Sequence, residues 1–190
     1  MRLARVAVPG LVLLLFSCGN PSGAGEAGSA KTARRRSSSG GREAERVRIV
    51  DDCDPATFNA QLGPGACVGR GETTFQQFIA ELTATRIAEE WKFDDDQLGA
   101  APGAPIVATN RGGETHTFTK VNQFGGGFVP ALNALSGNLN PAPECAFPAV
   151  GKSFVPAGGS LTVAAPAKGT AKFQCCIHPW MRAVVTVDGD

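Results

Sequence analysis

The segment from Cys175 to Met181 places a thiol, an imidazole and a thioether within seven residues, in the order Cys-Cys-Ile-His-Pro-Trp-Met. All three groups bind soft or borderline metal ions, and they can surround one ion only if the segment is a tight loop. Residues 170–175 alternate small or apolar side chains with polar ones, and residues 182–187 are rich in β-branched side chains. Both patterns are typical of strands. The sequence therefore predicts two strands joined by a metal-binding loop, and with them a mainly β fold.

Histidine and methionine are scarce in this chain, which has two of each, one methionine being the initiator. One histidine is His178 in the loop. The other, His116, lies in the strand-like segment 115–121, with Phe118 on the same face. Two imidazoles, one cysteine sulfur and one weak axial methionine form the ligand set of blue-copper electron-transfer sites. The chain holds this set with almost no histidine or methionine to spare.

Residues 173–182, Phe-Gln-Cys-Cys-Ile-His-Pro-Trp-Met-Arg, resemble the copper loop of cupredoxins such as plastocyanin, and they are closest to the short-loop amicyanin type. Asn110 lies six residues before His116, and this interval also resembles the family. The resemblance covers about residues 90–190 and implies a Greek-key β-sandwich with one type 1 copper ion. The ligands implied by position are His116, Cys175, His178 and Met181.

The resemblance also implies roles for residues around the ligands. Thr117 would donate its backbone N–H to the copper thiolate, and Asn110 would support the site from behind the ligands. His178 would lie near the surface as the electron port. Pro179 and Trp180 would then form an apolar rim where a partner docks, and the alternative for Trp180 is simple packing under the loop.

A zinc site is the competing interpretation of the same residues. Zinc favours tetrahedral sets of nitrogen and sulfur ligands and needs no methionine, and Cys176 directly follows Cys175. Adjacent residues of a strand point to opposite faces, which argues against two neighbouring cysteines binding one ion. The long Gly- and Pro-rich interval between His116 and Cys175 and the second cysteine are departures from the cupredoxin pattern.

The first 17 residues have the features of a secretory signal peptide: Arg2 and Arg5, a short apolar stretch, and a small residue before the cut. Residues 15–18, Leu-Phe-Ser-Cys, resemble a bacterial lipobox. We therefore expect an exported lipoprotein of the periplasm or cell envelope, anchored to a membrane through a lipid on Cys18. The alternative is an ordinary signal peptide that is cut nearby.

Four cysteines remain besides the lipidated and the metal-binding one, and in an exported chain they predict two disulfides with three possible connectivities. We favour Cys53–Cys67, which closes a short loop, and Cys145–Cys176, which would pin the long interval against the copper strand. In the second pair, Cys176 should point away from the metal if Cys175 points toward it. A free Cys176 thiol is the alternative.

The chain divides into four predicted parts. They are a signal peptide at 1–17, a lipid-anchored disordered tether at 18–46, a disulfide loop and helix at 47–90, and the cupredoxin domain at 91–190. The tether is basic and rich in Gly, Ser and Ala, while the rest is acidic, a division that the net charge of +1 conceals.

Thr73 and Gln76 are placed as a capping box at the start of a helix that should end near residues 89–90. This helix and the preceding disulfide loop form an N-terminal extension that a minimal cupredoxin lacks. Residues 122–150 predict a long irregular loop.

The predicted function is transfer of single electrons between redox protein partners. A copper storage or delivery module is the alternative. Copper oxidases and reductases need more imidazoles than two, so we do not expect an enzyme. Arg34–Arg36 could suggest nucleic acid, but an exported chain would rarely meet any, and we expect none.

Overall fold

A computed structural model of the chain describes residues 43–188. The predicted signal peptide, Cys18 and nearly all of the predicted tether lie outside the described residues. The strands are β1 (Glu45–Val50), β2 (Lys92–Asp94), β3 (Gln97–Gly99), β4 (Pro105–Asn110), β5 (His116–Thr117), β6 (Thr119–Val121), β7 (Phe154–Val155), β8 (Ser160–Ala164), β9 (Gly169–Gln174) and β10 (Arg182–Val187). The helices are α1 (Pro55–Leu62), α2 (Phe75–Thr85) and α3 (Pro130–Ser136), with short 3₁₀ turns at Pro143–Cys145 and Ala149–Lys152.

Two four-stranded sheets form the body of the protein. The first has the order β2-β1-β4-β8 and the second β3-β10-β9-β6, while β5 and β7 form a separate pair. The pairs β1–β4 and β3–β10 are parallel, and the other pairs are antiparallel. Buried side chains from both sheets belong to one apolar core. The predicted fold class, a mainly β sandwich with a helical N-terminal region, is confirmed.

The strands on either side of the metal-binding loop form as predicted, as β9 and β10. Alternate residues of β10, starting at Ala183, are buried, and Ala171 and Phe173 are the buried apolar residues of β9. The Phe173 ring stacks on Phe118 with 4.4 Å between ring centroids. The alternation of apolar and polar residues in the sequence therefore correctly identifies the side chains that face the core from this sheet.

The sandwich begins earlier than the predicted boundary at residue 91. Strand β1 lies between β2 and β4 in the first sheet, so α1 and α2 are inserted into the sandwich and do not precede it. The tether must also end before Glu45. Val47 and Ile49 are buried, and Arg46 and Arg48, on either side of Val47, are exposed. That alternation is a strand pattern, but the charged Arg46 and Arg48 give the segment the composition of a tether.

Helix α2 is capped one residue later than predicted. Thr74 and Gln77 form the capping box, with the Gln77 backbone N–H donating to Thr74 Oγ1 over 3.3 Å and the Thr74 N–H donating to Gln77 Oε1 over 2.8 Å. Thr73 instead donates its hydroxyl to the Asp52 carboxylate over 2.7 Å. The helix ends at its left-handed C-cap, Arg86, before the predicted end near 89–90.

Both favoured disulfides are present. Cys53–Cys67, with Cα atoms 6.2 Å apart, closes the loop that contains α1. Cys145–Cys176, with Cα atoms 5.3 Å apart, joins the first 3₁₀ turn to the residue two positions after β9. Cys175 is the free cysteine among the described residues. No helix within residues 43–188 is long and apolar enough to cross a membrane.

The segment 122–150 is more ordered than the predicted loop, since it contains α3 and a 3₁₀ turn. It packs closely on the strand that ends at the site, where the Phe128 N–H donates to the Cys176 carbonyl over 2.9 Å. Gly127 has to be a glycine here, because a Cβ atom would overlap the backbone of Cys176.

Candidate metal centre

Three predicted ligands converge in the core. The Sγ atom of Cys175 lies 3.8 Å from Nδ1 of His116 and 3.8 Å from Nδ1 of His178, and the two Nδ1 atoms are 3.3 Å apart. All three side chains are buried. The structure therefore brings together residues that are 59 and 62 positions apart in the chain.

The size of this donor triangle suits a metal ion. The point equidistant from the three atoms lies about 2.1 Å from each of them, within the range of about 2.0–2.3 Å for metal–nitrogen and metal–sulfur bonds in zinc sites. A thiolate with two imidazoles is also the donor set that copper electron-transfer sites use. The residues present thus fit a single metal ion, which Cys175, His116 and His178 would hold.

Backbone pairing positions each donor. His116 lies in β5, opposite Val155 of β7. Cys175 follows β9 directly, and its N–H donates to the Met181 carbonyl over 3.0 Å. The Met181 N–H in turn donates to the His178 carbonyl over 3.0 Å. These two bonds close the tight loop that the sequence predicts, with its thiol and imidazole on the inside.

The Cys175 sulfur accepts backbone hydrogen bonds as well. The N–H groups of Thr117 and His178 donate to it over 3.4 Å and 3.5 Å. Burial alone would raise the pKa of the Cys175 thiol, but its hydrogen bonds with His116 and His178 outweigh burial and bring the pKa well below the ordinary value. The site therefore favours a thiolate, which is the form that binds metal.

Asn110 fixes the loop that leads to His116. Its side-chain amide donates to the carbonyls of Glu114 over 2.7 Å and Val155 over 3.0 Å, and its oxygen accepts from the Gly112 N–H over 2.9 Å. Asn110 does not contact the donor atoms in these bonds. It holds the backbone on which His116 is carried.

His116 has an unpredicted partner in Asp51. The Nε2 atom of His116 lies 2.8 Å from Asp51 Oδ2, and both side chains are fully buried. Burial alone would lower the pKa of His116, but its hydrogen bonds with Asp51 and Cys175 raise it to about 9. Burial alone would raise the pKa of Asp51, and hydrogen bonds from His116, Gly113 and Glu114 hold it below the usual value.

His178 also faces a carboxylate that the sequence analysis missed. Its Nε2 atom lies 3.6 Å from Oε2 of Glu114, and that oxygen accepts a hydrogen bond of 2.6 Å from the indole of Trp91. Glu114 and Trp91 are both buried. Each of the two imidazoles therefore points Nδ1 at the sulfur and Nε2 at an acidic side chain.

The sequence did contain a signal for both carboxylates. Asp51 continues the buried alternation of Val47 and Ile49, so its side chain falls on the inward face at the end of β1. Glu114 stands two positions before His116 and therefore on the same side of an extended segment. A carboxylate at an inward position of a strand requires a partner, and that requirement points to the metal centre.

The structure places His178 in the core, not near the surface as expected of an electron port. His178 is only 3% exposed and is covered by Phe78 of α2 and by Trp180. The His178 ring centroid lies 6.3 Å from that of Phe78 and 5.4 Å from that of Trp180. Pro179 is buried and Trp180 half-buried, so neither forms an open rim. The helical insertion therefore covers His178 through Phe78.

Trp180 packs under the insertion. Its indole N–H donates to the backbone carbonyls of Ala88 and Trp91, each over 3.2 Å. A pocket of about 280 Å³ lies beside His178 between α2 and α3, and it is lined almost entirely by apolar side chains. The cover over the imidazole is therefore apolar.

Met181 is 1% exposed and belongs to the same core cluster as Cys175. Its axial role stays a prediction. The zinc interpretation needs Cys176 as a fourth ligand beside His116, Cys175 and His178, and Cys176 is instead bonded to Cys145. Cys176 also lies in a second apolar cluster, apart from the one that contains Cys175.

No protein-family model matches this chain, and no curated protein matches it either. Solved structures do match. A purple cupredoxin from Nitrosopumilus maritimus is 13% identical with a TM-score of 0.41, and the match covers 76% of this chain and 99% of that one. A plastocyanin from Dryopteris crassirhizoma is 14% identical with a TM-score of 0.38, covering 75% and 99%. A mutant amicyanin in its reduced Cu(I) form is 20% identical with a TM-score of 0.34, covering 54% and 77%.

Proposed function

We propose that this chain is a type 1 copper protein of the cupredoxin kind, which carries single electrons between redox partners and is not itself an enzyme. The donor triangle formed by His116, Cys175 and His178 is the observation that carries the proposal, because its size and chemistry suit one copper ion. Copper bound there would supply a one-electron couple between Cu(II) and Cu(I). Met181 would complete the set from the axis.

The protein around the donors keeps them in place. Hydrogen bonds from Thr117 and His178 hold the thiolate, and the Asn110 amide holds the loop before His116. The donor side chains are buried, so water is excluded from them. Donors that do not move between two oxidation states add little reorganisation to an electron transfer, and this rigidity suits an electron carrier.

Electrons would enter and leave through Trp180, the half-buried ring that contacts His178. A redox protein partner would reach only the exposed part of this ring, through a small, transient interface of the kind that electron-transfer partners tend to form. Replacing Trp180 by Leu should slow electron self-exchange, measured by NMR line broadening in mixtures of oxidised and reduced protein. An unchanged rate at unchanged potential would exclude this route.

Storage or delivery of copper is the second candidate carried over from the sequence. Delivery requires an ion that leaves readily, and here the donors lie in the core beneath α2. We therefore expect a chelator to remove copper slowly. Copper loss within seconds, with no reversible redox cycle, would favour delivery.

We further propose that the chain is exported and anchored through a lipid on Cys18. The signal-like residues 1–17 and the lipobox resemblance support this proposal. Expression in a bacterium, followed by mass spectrometry of the membrane fraction, should find a lipid-modified N-terminal Cys18. A soluble chain cut at another residue would contradict it.

An absorption spectrum of the chain after addition of Cu(II) tests the proposed function. We expect an intense blue or purple thiolate-to-copper band that bleaches with ascorbate and returns on reoxidation. A Cys175→Ser variant is the matched control and should lack the band. A wild-type protein that binds no copper, or binds it without colour, would refute the proposal.

A further inference from the structure

The imidazoles of His116 and His178 each face a buried carboxylate. Nδ1 of each ring faces Cys175, and Nε2 of each ring faces an acidic side chain, Asp51 for His116 at 2.8 Å and Glu114 for His178 at 3.6 Å. Only the first distance is that of a hydrogen bond. Asp51 is therefore the stronger of the two partners.

The loop before His116 is built around the Asp51 carboxylate. Besides His116, Asp51 accepts the backbone N–H groups of Gly113 over 2.9 Å and Glu114 over 3.1 Å. A Cβ atom at position 112 would overlap the carboxylate, so Gly112 allows the loop to close over it. This packing leaves the carboxylate, whose side chain is 0% exposed, no freedom to turn away from the imidazole.

Resting on the proposed function, we propose that Asp51 is a positioning residue that orients His116 and lowers the reduction potential of the site. An ionised Asp51 can only accept, so the His116 proton must sit on Nε2, and Nδ1 is left free to bind metal. The buried negative charge attracts Cu(II) more strongly than Cu(I), because the attraction scales with the charge of the ion. Glu114 acts in the same direction on His178, more weakly.

The reduction potential of copper-loaded Asp51→Asn tests this role. Asn keeps the shape and an accepting oxygen but removes the charge. Loss of a partner behind a metal-bound histidine typically costs 10- to 100-fold in metal affinity. If that loss falls on Cu(II), the potential rises by about 59 mV for each tenfold change in the ratio of the Cu(II) and Cu(I) affinities. Glu114→Gln should give a smaller rise.

Asp54→Asn is the matched control. Asp54 lies three residues from Asp51 and caps α1, a role that Asn fills equally well. The substitution removes the same unit charge from a position farther from the donors, where solvent and salt screen it. The reduction potential of the copper-loaded Asp54→Asn protein should equal that of the wild type. An Asp51→Asn protein that stays blue at the wild-type potential, or an equal rise in Asp54→Asn, would overturn the proposal and leave the proposed function standing.

A second measurement needs neither copper nor a variant. In the wild-type protein loaded with Zn(II), nitrogen-15 NMR should show His116 bound through Nδ1, with a slowly exchanging, downfield Nε2 proton. A proton on Nδ1, or an Nε2 proton that exchanges at the solvent rate, would overturn the role of Asp51. Absence of a blue band with Cu(II) would instead count against the proposed function, so the two failures are distinguishable.

Discussion

The ring of Phe78 meets the imidazole of His178 edge-on, with 6.3 Å between the ring centroids and 90° between the planes. Phe78 is carried by α2, which lies between β1 and β2 in the chain, so an inserted element covers the metal centre. The same ring contacts Trp91, with ring centroids 4.6 Å apart. The cover is therefore continuous with the core.

Removing the Phe78 ring should destabilise the protein and open the site. Phe78 is 2% exposed, and truncation of a buried Phe to Ala typically costs about 3–5 kcal/mol of unfolding free energy. We expect Phe78→Ala to lose copper to a chelator faster than the wild type, measured by decay of the absorption band. Phe147→Ala is the control, because Phe147 is 65% exposed and its loss should change neither quantity greatly. Equal copper loss in all three proteins would show that the cover does not limit access.

Met181→Leu tests the proposed axial role of Met181. Leu is similar in volume, and such swaps in a core usually cost less than about 1.5 kcal/mol. We expect a folded, coloured protein whose potential is raised by about 59 mV for each tenfold loss of Cu(II) binding relative to Cu(I). The measurement is voltammetry of the copper-loaded protein. An unchanged potential would remove Met181 from the site.

The metal-free protein should have a plateau of stability at neutral to alkaline pH. The pKa of His116 rises from 6.5 to about 9 on folding, so its contribution is full below pH 6.5 and is lost as the pH rises through 9. The pKa of Cys175 falls well below 9.0, so its contribution is full above pH 9.0 and is lost as the pH falls. Between pH 6.5 and pH 9.0, the loss of unfolding free energy from His116 with rising pH is cancelled by the gain from Cys175.

Urea unfolding of the metal-free protein at a series of pH values measures this balance. The wild type should show nearly constant unfolding free energy between pH 6.5 and 9.0 and a decline toward acid. Cys175→Ser lacks the contribution that grows with rising pH, while His116 keeps its bond to Asp51. The unfolding free energy of this variant should therefore fall as the pH rises from 6.5 to 9.0. A variant that stays flat there would show that His116 is not held protonated.

Replacing Cys145 and Cys176 together by Ala should weaken the fold and preserve the colour. The two cysteines are 31 positions apart, and a disulfide that closes a loop of 15 to 100 residues contributes about 3–5 kcal/mol in the chain-entropy model. Neither residue supplies a donor to the triangle. Chemical unfolding and the absorption spectrum give the two readouts, and the Cys53→Ala, Cys67→Ala double variant is the control for loss of a shorter loop. A colourless but folded protein would mean that the disulfide holds Cys175 in place.

The features of this fold that depend on short stretches of sequence could be predicted. The alternation in β9 and β10 could be obtained from the sequence, because it depends on near neighbours. The number of cysteines predicted two disulfides but left three connectivities open, since Cys145 and Cys176 are 31 positions apart and only the fold brings them together. The covering of His178 could not be obtained in this way. It depends on where α2 packs in three dimensions, and a capping box at Thr74 says where a helix starts but not what it covers.

The separation of Cys175 and Cys176 has a consequence for how the chain matures. The two sulfurs are neighbours in sequence, yet the first lies in the main core cluster and the second lies with Cys145 in another. A disulfide formed one residue too early would join Cys145 to Cys175 and leave no thiolate for a metal. In the folded chain Cys176 lies beside Cys145 and Cys175 lies in the other cluster, so the fold selects which of the two adjacent thiols is oxidised. Formation of the Cys145–Cys176 disulfide and the proposed metal binding would then use different sulfurs and would not compete.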